Sequence, residues 1–275
     1  MAEEILKVER KQNFAVFTMN RPEKRNALNE PLLRALDEAI ASVEQDKEIR
    51  AVVVRGAGKS FCAGLDLAEA GRLEGPGPAP VNLIQIFKRL ENLPTPTIAA
   101  VNGAALAGGC ELALHCDLRI AGEDVRMGMT VARVGLLAPY ELIRKLVEIL
   151  GSANTAQILY TAEPVDAQRA FHMGMVHEVV PNAKLDETAL VWADKIAGNS
   201  PMAVRTMKTA VRRTMSGAHD AYHEDILEMA RKVRAGKDAK EGIRAFLEKR
   251  PARFPLRPSA DMPPFYPWWK TLPFE

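Results

Sequence analysis

The chain has 275 residues, 47% of them hydrophobic and 26% charged, with a formal net charge of +2 at pH 7. That length buries a sizeable core, as one domain or one domain with an appendage. The near-neutral balance gives no whole-protein field demanding nucleic acid or an anionic membrane, and no apolar run approaches the ~20 residues of a membrane span.

The N-terminal MAEEILKVERK is charged throughout and lacks the apolar core of a signal peptide. Phe14–Met19 reads as a strand. Asn29 then offers a helix cap, Pro31 suits a first turn, and Leu32, Leu33, Leu36, Ile40 and Val43 recur at helical spacing. Ala51–Arg55 reads as a buried strand, Leu83–Leu90 as a helix, and Thr97–Val101 and Asp117–Ala121 as further strands. This alternation predicts an α/β fold. Between them, Glu74–Pro80 (EGPGPAP) is too rich in Gly and Pro for regular structure and predicts a mobile loop beside the site.

From Pro139 onward strand signals fade. Tyr140–Leu150, Ala153–Thr161, Asp166–Met173, Leu185–Gly198, Met202–Arg213 and His219–Ala235 read as helices, with Gly151, Gly174 and Gly198 as C-terminal stops. Pro255–Glu275 is rich in proline and aromatic residues, Tyr266, Trp268 and Trp269 among them, and predicts an extended tail that packs its rings on this subunit or a neighbour.

The densest signal is Asn102–Ala121, NGAALAGGCELALHCDLRIA. Gly108 and Gly109 let a backbone approach a ligand closely. Glu111 follows in the first turn of an apolar helical run, where a carboxylate is costly to bury unless something uses it. Free N–H groups at a helix start favour developing negative charge. Donors beside an acid or base are the parts needed to stabilise an enolate and move a proton. Cys62, Cys110 and Cys116 are odd in number and lack C-x-x-C spacing. They read as free thiols in a reducing cytoplasm, with no metal site.

NRPEKRNAL (Asn20–Leu28), KSFCAGLDL (Lys59–Leu67), the glycine-pair segment and EGIRAFLEKRPARF (Glu241–Phe254) stand in this order along the chain. Together they resemble the crotonase superfamily, the enoyl-CoA hydratase/isomerase family. The resemblance implies a crotonase-like spiral of ββα units over residues 1–198 and a helical C-terminal trimerisation layer over 199–254, with 255–275 as the tail. It implies an acyl-CoA substrate, no cofactor beyond the coenzyme A thioester itself, no metal, and a homotrimer or dimer of trimers. It assigns the Ala63 and Gly108 N–H groups as oxyanion donors and Glu111 as acid/base. Gly64 and Gly109 shape the turns. Lys24, Arg25, Ala27, Leu28, Asp66 and Leu67 would frame coenzyme A, and Lys249 with Arg250 would reach its phosphates from an adjacent subunit. Solvated basic turns account for the same lysines and arginines.

The chain departs from the hydratase pattern where a second glutamate is expected. Anchored on Gly128 and Gly135, that position falls on Val131, which cannot hold or deprotonate water. Hydration is then handicapped but not excluded, and the resemblance still makes a hydratase-like lyase the leading expectation, with double-bond isomerisation, then decarboxylation or thioester hydrolysis, each open to Glu111 alone, behind it. Glu141 offers a substitute carboxylate, or a surface carboxylate favouring a helix N-terminus. Tyr140 offers a hydroxyl or a packed ring, and Tyr266 a ring in the acyl pocket or simple packing. His115, at i+4 from Glu111, can tune it or sit as a satisfied core residue. His172, His177, His219 and His223 lie in ordinary amphipathic segments. A family scaffold that holds acyl-CoA without turning it over is the alternative of another class, motivated by Val131.

Overall fold

The computed structural model describes residues 4–46, 48–70, 82–199, 201, 204–205, 207–208, 211, 231, 234–250 and 252. In chain order the elements are β1 (Leu6–Arg10), β2 (Phe14–Met19), α1 (Glu30–Gln45), β3 (Ala51–Gly56), β4 (Ser60–Cys62), α2 (Leu67–Ala70), α3 (Leu83–Asn92), β5 (Thr97–Val101), β6 (Ala104–Leu106), α4 (Gly108–His115), β7 (Leu118–Gly122), β8 (Arg126–Gly128), α5 (Tyr140–Thr161), β9 (Val165–Asp166), α6 (Ala167–His172), β10 (Glu178–Val180), α7 (Leu185–Ala197) and α8 (Lys237–Leu247).

Two sheets organise the described residues. The larger has the order β1-β2-β3-β5-β7-β10, the smaller β4-β6-β8-β9. β2, β3, β5, β7 and β10 run parallel, and β1 is an antiparallel edge. The alternation of strand side chains decides which layer each residue joins. Phe14, Val16, Ala51, Val53, Ile98 and Ala100 point to one face and pack with Leu185, Ala189 and Ala193 of α7. Ala15, Phe17, Val52, Val54, Ala99 and Val101 point to the other and pack with the apolar stripes of α1, α3 and α4. Both faces are therefore dry, as parallel sheets require.

α1 starts where the sequence says it should: the Asn29 side chain accepts from the Leu32 N–H at 3.1 Å, and a proline occupies its first turn. Some boundaries differ from expectation. β1, with only Leu6 buried, escaped the period-2 reading because one face is wet. The expected helices 140–150 and 153–161 join as α5, kinked at Gly151, whose φ of 73° and ψ of 164° leave the helical region. The second half also contributes β9 and β10 to the sheets, so it is not helical throughout. The predicted Glu74–Pro80 loop, most of the predicted helices 202–213 and 219–235, and Tyr266 with its tail lie outside the described residues.

The smaller sheet positions the site. β4 and β6 run parallel, and each leads directly into a glycine-bearing turn. A Cβ at Gly109 would stand 2.1 Å from the Cys62 carbonyl oxygen, so only glycine lets α4 abut the end of β4. α8 closes on the turn 131–134 that follows β8. There a Cβ at Gly242 would stand 2.0 Å from the Val134 carbonyl oxygen.

Candidate active site

Every residue of α4 is buried, so Glu111 enters the core on a helix with no wet face. Glu111 is 3% exposed, and among the described residues its Oε1 has no hydrogen-bond partner. Burial, and then the charge of Glu141, push its carboxyl up to about 8. A carboxyl held neutral near neutral pH can donate a proton and then act as the base that recovers it.

Glu141 lies in the first turn of α5 and is 9% exposed. This corrects the surface reading: α5 turns Glu141, Leu142, Lys145 and Leu146 inward together. Lys88 of α3 donates to Glu141 Oε1 at 3.1 Å, which favours its charged form. Both carboxyls are therefore buried, and they differ in that Glu141 is held by an ammonium. Tyr140 precedes it, half-buried at the helix start. Val131 opens a short 3-10 turn and packs, half-buried, against the core.

The backbone beside Glu111 corrects one donor assignment. The Ala63 N–H donates to the Arg25 carbonyl at 3.0 Å, so it is committed to holding the chain. The Gly64 N–H is turned to Cys62 Sγ at 3.4 Å. Leu65 and Gly108 differ: among the described residues neither N–H has a hydrogen-bond partner. Gly64, at φ +95°, makes the turn that redirects the next amide. A methyl built on Gly108 would stand 3.7 Å from the Leu65 nitrogen, so the two amides border one spot. Ala107 holds the strained φ of 48° and ψ of −119° at the start of α4, and its N–H is anchored to the Gly128 carbonyl at 2.9 Å.

The expected coenzyme A frame sits on the adjoining loop. The Leu28 N–H donates to the Gly64 carbonyl at 2.8 Å and the Asp66 N–H to the Leu28 carbonyl at 2.9 Å, which brings Ala27 and Leu28 beside the donor turn. The Asp66 carboxylate accepts from Arg21 at 3.1 Å and so braces the loop. Leu67 begins α2. Lys24 and Arg25 are exposed, as is Lys249 beyond α8. Arg250 folds back on Glu241 at 2.7 Å, an engagement the solvated-end reading of that segment did not foresee.

Sequence reading missed Leu65, Lys88, Glu91 and Lys145. The signal for Lys145 was present: with Glu141 it falls on the apolar stripe of α5, where a lone charge would be penalised. Glu91 likewise sits beside Phe87 and Leu90 on the inward side of α3. Nothing in the local sequence distinguishes the Leu65 amide from its neighbours, because the turn geometry decides it.

Residues 9–256 match the family model described as enoyl-CoA hydratase/isomerase. The chain is 37% identical over 246 residues to the short-chain-enoyl-CoA hydratase of Clostridium acetobutylicum, covering 88% of this chain and 94% of that one. Among solved structures it is similar to a carnitinyl-CoA hydratase from Mycobacterium avium, at 35% identity and a TM-score of 0.84, covering 93% of this chain and 100% of that one. It is also similar to a methylmalonyl-CoA decarboxylase in complex with 2-nitronate-propionyl-CoA, at 30% identity and a TM-score of 0.81, covering 92% of this chain and 99% of that one. With the fold, the paired amides and the buried Glu111 in place, these likenesses show that the chain is an enzyme of the enoyl-CoA hydratase/isomerase family, the crotonase superfamily.

Proposed function

We propose that this enzyme hydrates the double bond of a 2-enoyl-CoA thioester. The thioester oxygen sits between the Leu65 and Gly108 amides, which take up the negative charge of the enolate. Two such donors contribute about 3 kcal/mol each to lowering a barrier of this kind. Glu141, held charged by Lys88, takes a proton from water as the oxygen attacks the β-carbon. Glu111, held protonated by its burial, gives its proton to the α-carbon.

One observation carries the reading: a raised carboxyl at Glu111 and an ammonium-bound carboxylate at Glu141 are coupled beside the paired amides. Glu141 thus supplies what Val131 lacks. Isomerisation stands second, because Glu111 alone serves it. Lys24 and Arg25, both exposed beside the donor turn, suit the phosphates of coenzyme A, with Lys249 contributing from a neighbouring subunit.

We also infer a homotrimer or dimer of trimers working in the cytoplasm. The exposed apolar side chains of Val147, Tyr160, Phe171, Phe246 and Leu247 support burial between subunits, and the buried free thiols suit a reducing compartment. A monomeric mass by light scattering at micromolar concentration overturns the assembly.

The test assays the purified protein on 2-enoyl, 3-enoyl and malonyl-type thioesters. Hydration is expected, with Glu111→Gln and Glu141→Gln each losing at least ~10²-fold in kcat while binding acyl-CoA normally. Isomerisation unaffected by Glu141→Gln moves the assignment to the second reading. Tight binding with no turnover of any thioester makes the chain a binder and ends the catalytic one.

A further inference from the structure

Behind Glu111 lies a second layer of charge that the reaction above does not use. His115 is one turn further along α4 and 1% exposed. Its Nε2 stands 3.9 Å from Glu111 Oε1. On its other side, Nδ1 meets Glu91 Oε2 at 2.7 Å, and Lys145 donates to Glu91 Oε1 at 2.7 Å. The Phe87 ring packs on the imidazole with centroids 5.8 Å apart, fixing its plane. The row therefore runs Glu111, His115, Glu91, Lys145 across α4, α3 and α5.

We propose that His115 is a positioning residue for Glu111, clamped by Glu91 and Lys145 so that the Glu111–His115 pair holds one shared proton in the resting enzyme. This deepens the reading of Glu111 as acid/base and rests on it. Burial opposes ionisation of Glu91, but His115 and Lys145 outweigh it and hold its carboxyl well below the usual range. A permanent carboxylate at Nδ1 keeps a proton there and aims Nε2 at Glu111. When Glu111 is protonated, closing the 3.9 Å gap by about 1 Å makes Nε2 its acceptor. Glu111 gives the pair's proton to the α-carbon, and the proton that Glu141 takes from the attacking water replaces it by way of solvent, so none is created or lost over a turnover. The restored proton can reside on Glu111 or on Nε2 as imidazolium, and the Glu91 anion stabilises the charged form. An acid in a dry helix thereby avoids standing as an isolated anion between turnovers.

The charges facing the pair come from each packed element. Glu141 and Lys145 lie on α5, with Lys88 and Glu91 on α3. Cys110 lies on α4 itself, and burial followed by the Glu111 charge pushes its thiol far up, so it stays neutral.

The experiment reads Glu111 directly, by the infrared band of its protonated carboxyl, assigned by its disappearance in Glu111→Gln. The full-length protein is titrated as wild type, His115→Gln and Glu91→Gln. His115→Gln keeps a polar group near Nε2 but cannot take a proton, so the Glu111 midpoint is expected to rise by about one pH unit. Glu91→Gln removes the anion that stabilises the imidazolium, so the midpoint is expected to rise here too, whereas loss of a nearby anion acting on Glu111 alone would lower it. The same rises should appear in the pH profile of kcat. A merely structural role moves stability without raising the midpoint. Midpoints unchanged in both folded variants, or lowered in Glu91→Gln, overturn the proposal. Should His115→Gln fail to fold, the sign of the Glu91→Gln shift decides alone. Failure of the acid/base reading shows separately, as turnover surviving in Glu111→Gln.

Discussion

Adjacent glycines at the start of α4 perform different work. Gly109 is packed: a Cβ there would meet the Cys62 carbonyl carbon at 2.7 Å and its oxygen at 2.1 Å, so alanine forces the backbone apart. Gly108 is open: a Cβ there meets the Leu28 Cδ1 at 3.3 Å, a side chain able to yield, and then, at ordinary van der Waals distance, the Gly64 Cα at 3.6 Å and the Leu65 nitrogen at 3.7 Å. Its methyl would thus fill the spot that the two amides border. Gly108→Ala is therefore expected to keep stability within about 1 kcal/mol, since alanine favours a helix. Its kcat/KM should fall by roughly 10²- to 10³-fold, the cost of losing an oxyanion contact. Thermal melts with steady-state assays check both halves. Full activity in Gly108→Ala would place the thioester oxygen elsewhere. The same scale explains the Ala63 correction: its amide is spent on Arg25, and a one-peptide rotation after Gly64 passes the open position to Leu65.

At the scale of elements, what the sequence made legible follows burial. β2, β3 and β5 are apolar on both faces and stand out as continuous runs. β4, β6, β8 and β9 are too short to show any period, and they become strands only by pairing with one another. They are also the strands that build the site, so the site's architecture was hidden even though its glycine pair and Glu111 were plain. Glu111 was legible because a carboxylate inside an apolar helix violates the local pattern. Glu141 was legible as a candidate carboxylate but not as a buried one, because its compensation by Lys88 comes from 53 residues away. Lys145 and Glu91 hide for the same reason, at a separation of 54 residues. Charges on apolar stripes of different helices are individually anomalous, and only their meeting makes them affordable.

For the molecule as a whole, Glu111 links its chemistry to its stability. Its carboxyl rises from an ordinary 4.5 to about 8 on folding, through burial and then Glu141. The folded state thus binds the proton that the unfolded chain has released, and stability falls as pH rises between those values. Glu91 works in the opposite sense: its depressed carboxyl adds stability above the ordinary carboxylate range and loses it in acid. The two together predict a stability maximum on the weakly acidic side of neutrality. Glu111→Gln isolates the first contribution, because glutamine mimics the protonated acid and cannot ionise. Near pH 5 the variant and the wild type should unfold at nearly the same urea concentration. Above about pH 8 the variant should be more stable, by an amount bounded by the full shift at roughly 4–5 kcal/mol. Urea unfolding at a series of pH values measures it. A difference that stays constant with pH would mean that Glu111 ionises as readily folded as unfolded, and the desolvated acid on which the proposed chemistry depends would be absent.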